Sequence, residues 1–289
     1  KLNAWVIASR PKTLVAALIP VMVGSALAFH ERKFFFIYSL IAWLCSILIQ
    51  IGTNFTNDLY DFVKGADTEK RKGPQRVLVS GLISVKEMKA GIFIIFGSAF
   101  LLGLYLVSVG GAIIFIVGVI SIIAGIAYTA GPYPLAYHGL GDVFVFIFFG
   151  MVGTIFTYYL HTKEITFISI LISIPVGALI TNILVVNNFR DIEEDRSANK
   201  NTLAVIFGKT FTRYQFIFLL IVSFITPLLL FLFFNFNFYI FLPFLSFPVA
   251  VQLIKMLYTF DGIQLNKTLE MTAKLTALFG LLFSLGIIL

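Results

Sequence analysis

Two short polar segments hold seven of the 14 acidic residues in this 289-residue chain. The first reads Asn54-Phe-Thr-Asn57-Asp58-Leu-Tyr60-Asp61, followed by Lys64-Gly65-Ala-Asp67. The second reads Asn187-Asn188-Phe-Arg190-Asp191-Ile-Glu-Glu194-Asp195. Asn54, Asn57, Asp58 and Asp61 stand at i, i+3, i+4 and i+7, which sets two amides and two carboxylates on one helix face. Asn187, Asp191 and Asp195 stand at i, i+4 and i+8 and share a face in the same way. Carboxylate and amide oxygens in this density suit Mg²⁺, which binds through one or two carboxylates together with substrate phosphates. Lys64, Arg71, Arg76, Arg190 and Lys200 lie close by in sequence. Carboxylates mixed with Lys and Arg suit a metal–diphosphate ligand, whose charge needs both signs.

The elements that must carry these faces are membrane helices. Hydrophobic residues make up 59% of the chain and charged residues only 12%, against a usual charged share of about a quarter. That composition excludes an ordinary soluble enzyme and a disordered chain. The apolar runs are continuous rather than alternating, which disfavours a β-barrel. Apolar runs of roughly 17–25 residues mark spanning helices. They fall at about Thr13–Phe29, Phe34–Asn57, two between Ala90 and Gly141 parted near Ser108–Gly111, Asp142–His161, Ile165–Phe189, Tyr214–Phe234, Phe236–Leu257 and Met271 to the last residue. The expected fold is therefore all-α, a polytopic bundle of nine transmembrane helices, with residues 1–289 forming a single transmembrane domain. Pro20, Pro175, Pro227 and Pro243 are expected kink points. The first run has no small-x-small exit site and is expected to be a retained span.

With the N-terminus in the cytoplasm, 18 of the 21 basic residues fall on the cytoplasmic side. That asymmetry orients the bundle with the N-terminus inside and the C-terminus outside a cell inner membrane. It also accounts for the net charge of +7 without a nucleic-acid partner. Both acidic clusters end even-numbered spans, so they share one membrane face. Their common Asn-x-x-x-Asp spacing indicates a weak internal duplication about an axis along the membrane normal. The single cysteine, Cys45, excludes an intramolecular disulfide.

An ion-coupled transporter also carries Asp and Asn within its helices, but near the bilayer midplane rather than at helix ends. An enzyme transferring alcohol-phosphate groups to lipids is disfavoured by the lack of a DGxxAR-type continuation. Isolated charges such as Glu69, Lys70, Lys72, Glu87 and Lys89 are read as solvated interfacial residues.

The sequence resembles the UbiA superfamily of integral membrane aromatic prenyltransferases, and within it the 1,4-dihydroxy-2-naphthoate branch of menaquinone biosynthesis. The resemblance runs through Ala8-Ser-Arg10-Pro11-Lys12-Thr13-Leu14, the first acidic cluster, Gly73-Pro74-Gln-Arg76, Tyr128-Thr-Ala-Gly131-Pro132, Gly139-Leu-Gly141-Asp142, the second acidic cluster and Lys200-Asn-Thr202-Leu203. The superfamily pattern has an Asp at the position of Gly65. Here the acid follows at Asp67, a variant that resembles the naphthoate branch.

The resemblance implies nine helices around a cavity capped by cytoplasmic loops. It implies transfer of a polyprenyl group from its diphosphate to 1,4-dihydroxy-2-naphthoate, with loss of carbon dioxide and diphosphate, giving demethylmenaquinone. 4-Hydroxybenzoate, homogentisate or another naphthoate is the alternative acceptor. The expected Mg²⁺ ligands are Asp58, Asp61, Asp191 and Asp195, supported by Asn54, Asn187 and Asp67. Lys12, Lys64, Arg76, Arg190 and Lys200 are expected at the diphosphate, beside Asn54 and Asn187. Tyr60, Tyr128 and Phe149 are candidate cavity aromatics for an allylic cation. Tyr128, His138 and Asp142 are candidates for handling a phenolic proton. The prenyl tail needs an apolar tunnel open to the lipid bilayer.

Overall fold

The computed structural model describes residues 1–66, 73 and 76–289, with the side chain of Lys12 left aside. The described residues are helical almost throughout, as backbone in lipid must be when no water is present to satisfy its polar groups. The elements run α1 (Leu2–Ser9), α2 (Val15–His30), α3 (Phe36–Val63), α4 (Val85–Gly110), α5 (Ala112–Ala127), α6 (Gly141–Val145), α7 (Gly153–Thr162), α8 (Phe167–Arg190), α9 (Ile192–Ser197), α10 (Leu203–Phe233), α11 (Phe247–Thr259) and α12 (Leu265–Ile288). A π-helical stretch, Phe146–Val152, joins α6 to α7, and a 3₁₀ stretch, Phe238–Ser246, leads into α11.

Among the described residues, seven helical segments are long and apolar enough to cross a membrane. The expected first and fourth spans are α2 and α5, each of 16 residues. At about 1.5 Å per residue they are shorter than a hydrocarbon core of about 30 Å. Other boundaries moved outward for one reason: charged residues interrupt an apolar run without interrupting a helix. Lys209 and Arg213 masked the start of α10, which begins at Leu203 rather than near Tyr214. Likewise α3 continues past Asn57 to Val63 over 28 residues. At about 42 Å it outreaches the hydrocarbon, and its last two turns carry the first acidic face beyond the apolar zone. The backbone of α10 breaks at Gly208, where φ is 79°.

Helix α8 is the axis of the bundle, with Val176, Ala178, Leu179, Ile180, Val185 and Val186 all buried. It packs against α2, α10, α12 and the π stretch. The approach to the π stretch depends on paired glycines. A Cβ placed on Gly150 would lie 2.3 Å from the Cα of Gly177, so the two backbones meet with nothing between them. By contrast α4, α5 and α10 turn large apolar side chains outward, including Phe93, Leu101, Ile123 and Phe218. The chain is an integral membrane protein, and these side chains face lipid.

One element was not expected. Helix α1 precedes the first span and packs on α3, where Trp5 meets the Phe55 ring at 5.1 Å. The chain then turns sharply at Arg10, in the left-handed region with φ 51°, before Pro11 opens a 3₁₀ turn. Few non-glycine residues adopt such a φ. Here it aims the Arg10 side chain back at α3.

Candidate active site

One cavity runs from the polar ends of α3 and α8 down between α2, α4, α5 and the π stretch. Its polar end is lined by Arg10, Asn54, Asp61, Arg76, Asn187 and Lys200. Its deeper wall is apolar, with Phe100, Phe115, Phe144, Phe148 and Phe149. A polar mouth over a greasy interior follows from α3 and α8, which are apolar for most of their length and polar only at their last turns.

The first acidic face is clamped by arginines. Asp58 is 2% exposed and forms ion pairs with both Arg10 and Arg76. Arg76 Nη2 also lies 3.9 Å from Asp61 Oδ2. Asp61 Oδ1 accepts from the hydroxyl of Tyr137 at 2.8 Å. One turn deeper, Asn54 uses its amide N–H groups on Ser9 O at 2.9 Å and Thr13 Oγ1 at 3.3 Å. That ties α3 to the turn that presents Arg10. Asn57 accepts from Thr129 Oγ1 at 2.8 Å, and Lys64 donates to Thr129 O at 2.8 Å. Burial lowers the Lys64 ammonium below its ordinary value, against the pull of Asp61.

The second face is clamped differently. Arg190 donates from Nε to Asp191 Oδ1 at 2.6 Å and from Nη2 to Asp191 Oδ2 at 2.7 Å. Its remaining donors reach Asn187 Oδ1 at 2.9 Å and Asn266 Oδ1 at 2.7 Å. This bidentate pair, with Arg190 only 3% exposed, locks the end of α8 to α12. Lys200 Nζ lies 3.3 Å from Asp195 Oδ1. Burial pushes the Asp195 carboxyl up to about 6, with Lys200 opposing and Asp191 and Asp61 adding to the rise.

The two faces meet through the loop after α5. The Tyr137 ring lies under Lys64 Nζ at 4.4 Å and under Lys200 Nζ at 5.7 Å. Its backbone carbonyl accepts from Asn201 N at 3.0 Å. Tyr137 thus touches Asp61 of α3 and the α9–α10 turn at once.

Several expected positions are modified by this geometry. Asn54, Asp61, Arg76, Tyr128, Asn187 and Lys200 line the cavity, and so does Phe149. Asp58, Asp191 and Asp195 lie behind that lining, each with a cationic partner. Arg190 is turned away from the cavity because its donors are spent on Asp191, Asn187 and Asn266. Lys64 is held on Thr129 O, outside the lining. Tyr60 packs in the apolar cluster of Phe55, Leu59 and Leu78, not on the cavity wall. His138 is exposed and stacks on Tyr133 at 3.7 Å. Asp67 and the side chain of Lys12 lie outside the described residues.

Four contributors were not singled out from sequence as site residues. Arg10 precedes Pro11, and the left-handed turn there directs its side chain to Asp58. Asn57 stands on the acidic face that the i+3 spacing marks, but its contact with Thr129 and the placement of Tyr137 are loop contacts that no periodicity foretells. Gln50 precedes Asn54 by one helical turn on the same face, so the i+4 rule could have found it. It is buried on the cavity wall, donates to Asn54 Oδ1 at 3.3 Å, and its Oε1 has no hydrogen-bond partner among the described residues.

Among the described residues, no three acidic, His or Cys side chains converge as a ready metal cage. The donors nevertheless fit a hard divalent cation. Asp195 Oδ2 is buried with no hydrogen-bond partner among the described residues, and Asp61 and Asp191 are near enough to disfavour its charge. A buried carboxylate oxygen facing other carboxylates is a position that a cation relieves.

A membrane bundle with a charged mouth over an apolar cavity is the class this geometry defines. Residues 17–278 match the UbiA prenyltransferase family, and the chain belongs to that family. It is 37% identical to the 1,4-dihydroxy-2-naphthoate octaprenyltransferase of Escherichia coli K12, over 99% of this chain and 96% of that protein. It is 42% identical to the enzyme of the same name from Haemophilus influenzae, over 72% of this chain and 70% of that protein. Among solved structures, the fold matches a UbiA homolog from Aeropyrum pernix K1 at TM-score 0.72 and 15% identity, covering 96% of this chain and 98% of that one. It also matches a UbiA homolog from Archaeoglobus fulgidus bound to GPP and Mg²⁺, at TM-score 0.69 and 18% identity, covering 99% of both chains.

Proposed function

We propose that this chain is a membrane enzyme that transfers a polyprenyl group from its diphosphate to 1,4-dihydroxy-2-naphthoate. The products are carbon dioxide, diphosphate and the hydroquinone of demethylmenaquinone. The observation that carries the reading is the meeting of two acidic helix ends, across Tyr137, at the polar mouth of one apolar cavity. The naphthoate octaprenyltransferases from E. coli and H. influenzae, which share more than a third of their matched residues with this chain, support the acceptor.

Asp58, Asp61, Asp191 and Asp195, with Asn54, Asn187 and Asp67, are the proposed Mg²⁺-holding set. Bound there, Mg²⁺ supplies positive charge to the departing diphosphate. Arg10, Arg76 and Lys200, with Lys12 and Lys64, bind and orient the diphosphate oxygens and stabilise the charge that develops on them. Arg190 holds Asp191 in place rather than touching the diphosphate. Tyr128 and the cavity phenylalanines face the allylic carbon and keep water from it. The prenyl tail lies along the apolar wall. The chain acts as a single domain in a cytoplasmic membrane, its N-terminus and active site inside and its C-terminus outside, in line with the basic asymmetry.

The test is an assay of detergent-purified protein with Mg²⁺, a polyprenyl diphosphate and 1,4-dihydroxy-2-naphthoate. The expected result is a prenylated naphthalenediol with release of carbon dioxide and diphosphate, abolished by a chelator and restored by Mg²⁺. Absence of product with every aromatic acceptor, from folded protein, overturns the proposal. Product formed only from 4-hydroxybenzoate or homogentisate overturns the acceptor.

A further inference from the structure

The cavity wall carries one carboxylate that belongs to neither acidic face. Asp142 lies in the first turn of α6, is 5% exposed, and lines the cavity, as do Phe144 and Phe148. Its setting differs from those of the four clustered carboxylates. Asp58 has Arg10 and Arg76, Asp61 has Arg76, Asp191 has Arg190, and Asp195 has Lys200. Among the described residues Asp142 has no ion pair. The neutral side chain of Gln215, from α10, faces it. The Tyr128 hydroxyl lies close by, 3.0 Å from where a Cβ on the adjacent Gly141 would be. Asp61 and Asp195 act on that same Tyr128 hydroxyl more weakly than Asp142 does.

The naphthoate reaction needs a group in this position. The ring carbon bearing the carboxylate forms a bond to the prenyl carbon while that carbon's bond to the diphosphate oxygen breaks. Attack places positive charge on the ring, and the neighbouring hydroxyl relieves it by releasing its proton and becoming a carbonyl. The carbon–carboxylate bond then breaks, carbon dioxide leaves, and the electron pair returns the carbonyl to a hydroxyl, which regains a proton. No net proton is consumed, so one group that takes a proton and gives it back suffices.

We propose that the Asp142 carboxylate takes the proton of the acceptor's ring hydroxyl as the ring attacks, and returns it when carbon dioxide leaves. This rests on the acceptor reading above. The other candidate groups are poorer bases. His138 is exposed and occupied with Pro134 O at 2.8 Å. Burial, with three carboxylates nearby, raises the Tyr128 phenol above its ordinary value, so it stays protonated. The clustered carboxylates would have to surrender a cation before accepting a proton, which Asp142 does not.

The test compares wild type with Asp142→Asn and Asp142→Ser, both uncharged and no larger than Asp. Each is read by kcat and KM for 1,4-dihydroxy-2-naphthoate and by Mg²⁺-dependent binding of the prenyl diphosphate. General acid–base steps contribute about 10²–10⁴-fold, so kcat is expected to fall at least a hundredfold, with donor binding within threefold of wild type. Asp142→Glu, which keeps the carboxylate, is expected to recover at least a tenth of the wild-type rate. Either uncharged variant, folded and turning over within threefold of wild type, overturns the proposal. A change confined to KM makes Asp142 a binding group, and loss of donor binding assigns it to the diphosphate site; both overturn it. An inactive wild type would instead sink the acceptor reading itself.

Discussion

The hydroxyl of Tyr137 donates to Asp61 Oδ1 at 2.8 Å, across 76 positions of sequence. Through this one residue the loop after α5 holds the carboxylate of the first acidic face, while its carbonyl and ring engage the turn that follows the second. Tyr137 therefore links the first acidic face to the turn that follows the second. Tyr137→Phe keeps the ring under Lys64 and Lys200 and removes only the hydroxyl. A lost hydrogen bond of this kind costs about 0.5–1.5 kcal/mol. The Mg²⁺ concentration giving half-maximal turnover is expected to rise by roughly threefold to tenfold. An unchanged Mg²⁺ titration would show that Asp61 is placed without Tyr137.

Arg10 and Arg76 share Asp58, and that shared partner makes their effects interdependent. Arg10→Ala and Arg76→Ala are each expected to raise KM for the prenyl diphosphate at least tenfold. The double variant is expected to depart from the product of the single effects, by about 0.5–3 kcal/mol of coupling for residues in one network. Independent effects in a double-mutant cycle would separate the two arginines functionally.

The Arg190–Asp191 pair is buried and bidentate, so removing one partner strands the other. Truncation of one member of such a pair costs about 3–5 kcal/mol. Asp191→Ala is therefore expected to lower thermal stability in detergent as well as abolish turnover. Asp58→Ala also abolishes turnover; its Arg10 partner keeps 27% of its side-chain surface exposed, so the stability loss is expected to be smaller. Equal melting temperatures for the two variants would contradict this difference.

The Gly150–Gly177 crossing leaves no room for a methyl group. Gly150→Ala forces α8 and the π stretch apart, and overpacking of this kind costs about 1–3 kcal/mol. The melting temperature is expected to fall, and turnover with it, because Phe146 to Val152 form one wall of the cavity. A variant as stable as wild type would mean that the π stretch yields freely.

Much of this was legible along the chain. The all-helical membrane class followed from composition, because lipid admits few charges and demands internally satisfied backbone. The two acidic faces followed from i, i+3, i+4 spacing, which is a property of a single helix and needs no partner to be read. Asn54, Asp61 and Asn187 reached the cavity mouth for that reason. Helix ends were less legible where Lys209, Arg213 and the acids of α3 broke the apolar pattern without breaking the helix.

What only the tertiary structure decided is which charge meets which. Arg190 was expected at the diphosphate from its place beside the second acidic cluster. The left-handed turn at Arg10 aims that residue at Asp58, and Asn266, 76 positions away, helps Arg190 close on Asp191. Tyr137 carries no periodic signal, since a loop side chain is positioned by what it packs against. Asp142 shared its candidacy for the phenolic proton with Tyr128 and His138 until packing set it buried on the cavity wall, with no ion pair among the described residues. Spacing sets the face of a helix, whereas ion pairing is set by the distance between helices, and that distance exists only in the folded bundle.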